Sequence, residues 1–132
     1  MSPIKKKYKT EYAFQLLRIA TGDLQSAELL RKAIGGRPEN VLYLVQQSIE
    51  KSLKAVSCYK TQSILTSHDL EALVASLPED VKPPQAHLLD SLTPFATVRR
   101  YEEGYQVLSE QDLDSALNLG RQINAWAKSL IV

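Results

Sequence analysis

The stretch from Asn40 to Lys60, NVLYLVQQSIEKSLKAVSCYK, constrains this chain more than any other. Leu42, Val45, Ile49, Leu53 and Val56 recur at steps of three and four, which places them on one stripe of an α-helix. The opposite side carries Gln46, Gln47, Glu50, Lys51 and Lys54. Glu50 stands four residues before Lys54, the favourable order for a helical ion pair worth about 0.3–0.5 kcal/mol. Gln47, Lys51, Lys54 and Cys58 form a second stripe beside the apolar one, and this stripe is the first place to look for a site. Most of a helix's stability comes from packing its apolar face. The remainder of the chain must therefore supply the elements that cover it.

It supplies more helices. Ala13, Leu17, Ala20, Leu24, Ala27 and Ile34 repeat at helical steps, with Leu16 and Leu30 beside them, so a first helix is predicted from Thr10 to the Gly35-Gly36 stop. Thr10 would cap it. Gly22 lies inside the pattern at a cost of about 1 kcal/mol and suits a close helix crossing. Ser67 is the predicted cap of a short third helix with Leu70, Leu73, Val74 and Leu77 on its apolar face, ended by Pro78. A fourth is predicted from Gln85 to about Tyr101, with Leu88, Leu89, Leu92, Phe95, Ala96 and Arg99 along one side and a kink or break at Pro94. The last runs from Ser109 to Leu130, opened by a box of Ser109 and Asp112. Its stripe is Leu113, Ala116, Leu117, Gly120, Ile123, Ala127 and Leu130, with Trp126 at the edge. No segment alternates with period two, and no Asn-Gly or Asp-Gly turn occurs. The expected fold is all-α, an antiparallel up-and-down bundle of four to five helices. Residues 1–9 read as a flexible basic tail and 10–132 as a single domain.

Composition removes several classes of function. Sixteen basic residues against fifteen acidic ones leave a net charge of +1, so RNA is not indicated by overall charge and would need a local patch. The single cysteine, Cys58, cannot form an internal disulfide and reads as a small buried apolar residue. No apolar run approaches the roughly 20 residues that span a bilayer. The basic N-terminus is not followed by the apolar segment of a secretory signal. A cytoplasmic protein without a membrane partner is expected.

Three runs carry a resemblance. QQSIEKSLKA (Gln46 to Ala55), SHDLEALVASL (Ser67 to Leu77) and LTPFATVRRY (Leu92 to Tyr101) lie in this order between a long first helix and a long last one. In order and spacing the chain, from about Glu11 onward, resembles the HEPN domain. That resemblance implies a helical bundle that often pairs as a homodimer. It implies one of three roles: a metal-independent ribonuclease, a nucleotide-binding module, or the partner of a minimal nucleotidyltransferase, including in toxin–antitoxin arrangements. The ribonuclease members resemble one another in an Arg followed, after four to six residues, by a His. Neither His68 nor His87 has an Arg at that distance before it, and no His follows Arg99 or Arg100 there. The general acid/base and its phosphate-binding companion are thus missing together.

The residues best suited to a ligand are Lys51, Lys54, Arg99, Arg100 and Tyr101. An arginine fork matches phosphate oxygens, and Tyr101 would stack on a base. Neighbouring helical residues point about 100° apart, so only one of the two arginines faces a given site. The alternative is an Arg that caps helix four or pairs with Glu102 or Glu103. Lys51 and Lys54 share a helix face and would give a second phosphate contact; the alternative is a solvated face. His68 would serve as a base or metal ligand, but it has no companion at ligand spacing and reads instead as a structural ring bonded to a neighbouring helix end, while His87 reads as exposed. No phosphate loop, zinc spacing or Ser/His/Asp order occurs, so neither a metal nor a cofactor is expected. The expectation is a non-catalytic HEPN-like module that binds a nucleotide or phosphate-bearing ligand, or partners a minimal nucleotidyltransferase. A ribonuclease with a non-standard site and a purely structural interaction bundle are the alternatives.

Overall fold

The computed structural model describes residues 4–96 and 108–132. Four α-helices, α1 (Glu11–Lys32), α2 (Pro38–Thr61), α3 (Leu70–Ala75) and α4 (Glu110–Leu130), are joined by a 3₁₀ helix over Ala86–Ala96. Two three-residue strands, β1 (Lys5–Lys7) and β2 (Ser63–Leu65), pair antiparallel, with Lys6 opposite Ile64. The protein is a helical bundle with a minimal ribbon attached.

Helix α2 is its axis. It packs against α1, α4, the 3₁₀ helix, α3 and β2. The predicted stripe holds: Leu42, Val45, Ile49, Leu53 and Val56 are all buried. On the opposite face Gln46 and Glu50 are buried too, as are Ser48, Ser52 and Ser57. A central helix has no solvent side, and its polar atoms are satisfied within the bundle. Ser48 Oγ donates to the Ala20 carbonyl at 2.7 Å, and Ser57 Oγ donates to that of Ser63 at 2.5 Å. Asn124 Nδ2 reaches Ser52 Oγ at 3.4 Å. Among the described residues, no buried side-chain N or O lacks a hydrogen-bond partner.

Helix α1 continues through Gly22 as expected, but Gly22 marks no crossing, for a Cβ there would meet nothing within 4 Å. The close approach lies at Gly120 of α4, where a Cβ would sit 3.1 Å from Leu24 Cδ1 and 3.2 Å from Val45 Cγ1. Ile34 leaves the α1 stripe and is fully exposed, because the chain turns extended at Ala33 and takes a positive φ at Gly35. The Thr10 carbonyl accepts from Ala13 N at 2.9 Å, but its hydroxyl does not cap α1 and instead accepts from Gln62 Nε2 at 3.0 Å. Ser109 and Asp112 form the expected capping box of α4.

Helix α3 begins later than its sequence suggested. Asp69, not Ser67, is the cap, and its carboxylate accepts from Glu71 N at 3.0 Å and Ala72 N at 3.3 Å. Ser67 Oγ accepts from Asp69 N and sets the turn that precedes it. Lys82 closes the other end, donating to the Val74 and Leu77 carbonyls at 2.8 and 2.9 Å. Over Ala86–Ala96 the fourth helix is 3₁₀ rather than α, and its expected continuation to Tyr101 lies outside the described residues. Buried Leu89 and Leu92 stand three apart, the period of that helix, and Pro94 withholds an N–H from any longer ladder. Leu88, expected on the buried side, is 46 % exposed.

The basic tail is not frayed between Ile4 and Tyr8. Lys5, Lys6 and Lys7 are exposed, as their composition suggests. What orders them is backbone pairing with β2 and the anchoring of Tyr8, neither of which shows in a pattern of lysine side chains. Tyr8 N–H donates to the Gln62 carbonyl at 2.9 Å, and the Tyr8 ring stacks on Tyr12 with centroids 4.8 Å apart. Gln62 accepts this bond in a left-handed conformation, φ 57°, that ends α2 and turns the chain into β2.

Candidate functional site

The polar side of α2 forms one connected network. Lys51 Nζ bonds Asp23 Oδ2 of α1 at 2.8 Å and Gln47 Oε1 at 3.1 Å. Gln47 Nε2 donates to Gln46 Oε1 at 2.7 Å, and Gln46 Nε2 donates to Glu50 Oε1 at 3.3 Å and to the His68 carbonyl at 3.2 Å. Glu50 also accepts from Lys54 Nζ at 3.0 Å and lies 2.9 Å from His68 Nδ1. Glu50 is the hub. Its side chain is 5 % exposed, whereas that of His68 is 68 % exposed. The His68 ring is bonded to a neighbouring helix, but to the Glu50 side chain in the middle of α2 rather than to a helix end, and it presents the rest of the ring to solvent.

One end of the network opens on a cleft of about 300 Å³. Tyr8 and Tyr12 form one wall, Lys54 and His68 line the polar side, Leu16, Ile64 and Leu65 supply apolar surface, and Thr66 and Ser67 complete the rim. The stacked tyrosines, with planes 19° apart, offer an aromatic platform. The cleft exists because β1 crosses to β2: Tyr8 belongs to the segment that follows β1, and Thr66 is held by Ile4 through bonds of 2.8 and 2.9 Å.

The five residues singled out in the sequence fare differently. Lys54 lines the cleft. Lys51 lies one helical turn away, tied to Asp23, and joins Lys54 only through the Gln47–Gln46–Glu50 chain. Arg99, Arg100 and Tyr101 lie outside the described residues. Sequence reasoning missed Tyr8, Tyr12 and Asp23. A signal for the tyrosines was present in their four-residue spacing next to the helix start, but nothing local reveals that Asp23 meets Lys51. Cys58 is buried, and burial pushes its thiol up from the ordinary value while a backbone hydrogen bond at Ala13 opposes this. His87 is exposed. Among the described residues, no three His, Cys, Asp or Glu side chains gather as metal ligands would, and no helix is long and apolar enough to cross a membrane.

A long central helix sheathed by two others, with a short helix and a 3₁₀ segment beside a polar cleft, defines a small helical-bundle domain. The HEPN domain model matches residues 13–130, so the chain belongs to the HEPN family. Two crystal structures share the fold. TT1696 from Thermus thermophilus aligns with a TM-score of 0.74 at 21 % identity, over 89 % of this chain and 96 % of that one. ST0689, an archaeal HEPN homologue, aligns with a TM-score of 0.70 at 24 % identity, over 91 % of this chain and 98 % of that one. No curated protein matches.

Proposed function

We propose that this HEPN domain is a non-catalytic module that binds a nucleotide or another phosphate-bearing ligand in the cleft beside α2. The observation that carries this reading is the meeting of stacked Tyr8 and Tyr12 with Lys54 and His68 around one cavity of about 300 Å³. A base needs a flat apolar partner, and a phosphate needs hydrogen-bond donors; the cleft offers both. The missing Arg-to-His motif argues against chemistry in it.

Thermal melting with ATP, GTP, CTP, UTP, AMP and NAD tests the reading. A ligand at 100 times its Kd stabilises by about 2.7 kcal/mol, which raises the midpoint of a domain this size by roughly 8–13 °C. The expected result is a shift with at least one nucleotide that disappears in Lys54→Ala and Tyr12→Ala. A flat panel refutes it. Cleavage of single-stranded or structured RNA by the purified protein would replace it with the ribonuclease reading.

The same domain would act as a homodimer and as the partner of a minimal nucleotidyltransferase, in a toxin–antitoxin-like pairing. Family membership supports this part of the proposal. Sedimentation velocity tests the dimer, and co-purification with a nucleotidyltransferase encoded alongside tests the pairing.

A further inference from the structure

The outer edge of β1 has a property that the cleft does not use. Thr66 N–H donates to the Ile4 carbonyl and Tyr8 N–H to the Gln62 carbonyl, both at 2.9 Å. Inward and outward backbone groups alternate along an antiparallel ladder. Lys6, opposite Ile64, is therefore in phase with Ile4 and Tyr8 and faces β2. Lys5 and Lys7 direct their N–H and C=O groups the other way, and among the described residues the sheet has no third strand to meet them.

The side chains on this edge share one sign. Lys5, Lys6, Lys7 and Lys9 are exposed, and none forms an ion pair among the described residues. Lys5 Nζ donates to the Ser76 carbonyl at 3.3 Å, which leaves its charge uncompensated. A shallow groove lined by Lys7, Tyr8, Lys9, Thr10, Glu11 and Gln62 opens at the end of the strand. Glu11 is its one acid.

We propose that this edge is a docking surface for an extended acidic peptide segment of a partner protein, which adds to β1 as a third strand. Two-stranded ribbons are marginal alone, and an open edge recruits a strand through its unused backbone groups. Lysines on an edge turn away most strands. A second copy of β1 would set lysine against lysine, and like charges directly opposed repel. A strand bearing Asp or Glu meets the reverse situation, so the same lysines that refuse other strands select this one. An RNA strand would use the charges and put phosphates on the outward N–H groups, but its phosphates have no donor for the outward carbonyls of Lys5 and Lys7, whereas a peptide strand matches both, which is why a peptide is the better fit.

The test is fluorescence anisotropy of a short labelled peptide alternating Glu with Val, titrated with the full chain. Two further peptides carry N-methyl groups on alternate amides, one set in each phase. Saturable binding is expected, lost with one N-methylated set and changed by no more than about twofold with the other, because only one phase faces β1. The triple variant Lys5→Glu, Lys6→Glu, Lys7→Glu should weaken binding by at least about tenfold, since the peptide's Glu side chains, all on one face of its strand, then meet like charge at positions 5 and 7 instead of attraction. As a check that does not depend on that variant's folding, the Lys5 and Lys7 amides of the wild-type protein should move in the NMR spectrum and gain exchange protection when the parent peptide is added. Absence of saturation, unmoved Lys5 and Lys7 amides, or equal binding of both N-methylated peptides would each overturn the proposal. So would tighter binding of an oligouridylate, which would make the edge a polyanion surface.

Discussion

Replacing Glu50 with alanine should destabilise the protein well beyond the loss of one exposed ion pair. The Glu50 side chain is 5 % exposed and Lys54 is 16 % exposed, so the pair lies closer to the buried than to the surface limit. Breaking a buried pair from one side costs about 3–5 kcal/mol, because the surviving charge is stranded. Two features lower that figure here. Gln46 keeps its second acceptor, the His68 carbonyl, and Lys54 lines the cleft, where its flexible stem can carry the amine to water. The expected cost is about 2–3 kcal/mol, less than the full buried-pair figure. With a urea m-value of about 2 kcal/mol/M, the midpoint should fall by about 1–1.5 M. Far-UV circular dichroism reads this directly. The decisive comparison is a double-mutant cycle with Lys54→Met, which removes the stranded cation. The two losses should fail to add by about 1–2 kcal/mol. A Glu50→Ala cost below ~0.5 kcal/mol that adds to Lys54→Met within ~0.3 kcal/mol would refute the buried hub.

Other substitutions probe the packing. Leu53 is 1 % exposed at the centre of α2, and Leu53→Ala should cost about 2–5 kcal/mol by urea titration; a loss below ~1 kcal/mol would mean that the stripe is not the core. Two glycines should respond with opposite signs. Gly22→Ala meets nothing within 4 Å and should stabilise by about 0.5–1 kcal/mol. Gly120→Val must push on Leu24 and Val45 and should destabilise by about 1–3 kcal/mol, both read as melting shifts. The Cys58 thiol, raised by burial from its ordinary value of 9.0, stays neutral in the folded state at pH values where the unfolded thiol ionises. Its contribution is therefore complete below pH 9.0 and is lost as pH rises toward the folded value. Wild type should lose stability faster than Cys58→Ala across that alkaline range; parallel curves would contradict the burial.

The large helices were legible because each announces its core-facing residues at regular steps. The α2 stripe, the passage of α1 through Gly22 and the Ser109–Asp112 box of α4 are all local patterns. What escaped depends on neighbours distant in sequence. Nothing in residues 46–50 says that α2 is surrounded, so the burial of Gln46 and Glu50 leaves no local mark. Helix α3 is capped by Asp69 rather than Ser67, and the intervening His68 contacts Glu50, 18 residues away in the chain. Pairing of Lys5–Lys7 with Ser63–Leu65 is a backbone event too short to leave an alternating pattern. The cleft inherits this difficulty, since Tyr8 and His68 reach it from the segments that follow the two strands of that ribbon.

The network also bears on what the cleft would prefer. Lys54 is already joined to Glu50, and the two charges cancel at close range. A bare anion entering the cleft must share a cation with a carboxylate that is only 5 % exposed, so the electrostatic gain from phosphate alone is small. Stacking against Tyr8 and Tyr12 suffers no such competition, because aromatic contact and apolar burial do not depend on the charge of the neighbours. On the proposed reading, the base therefore supplies most of the affinity and the phosphate orients it. AMP and adenosine should then bind within about tenfold of one another, and inorganic phosphate should bind far more weakly than either, as titration calorimetry would measure. The reverse order, with phosphate competing as well as AMP, would place the cation rather than the tyrosines at the centre of recognition. Glu50 would then have to release Lys54 on binding.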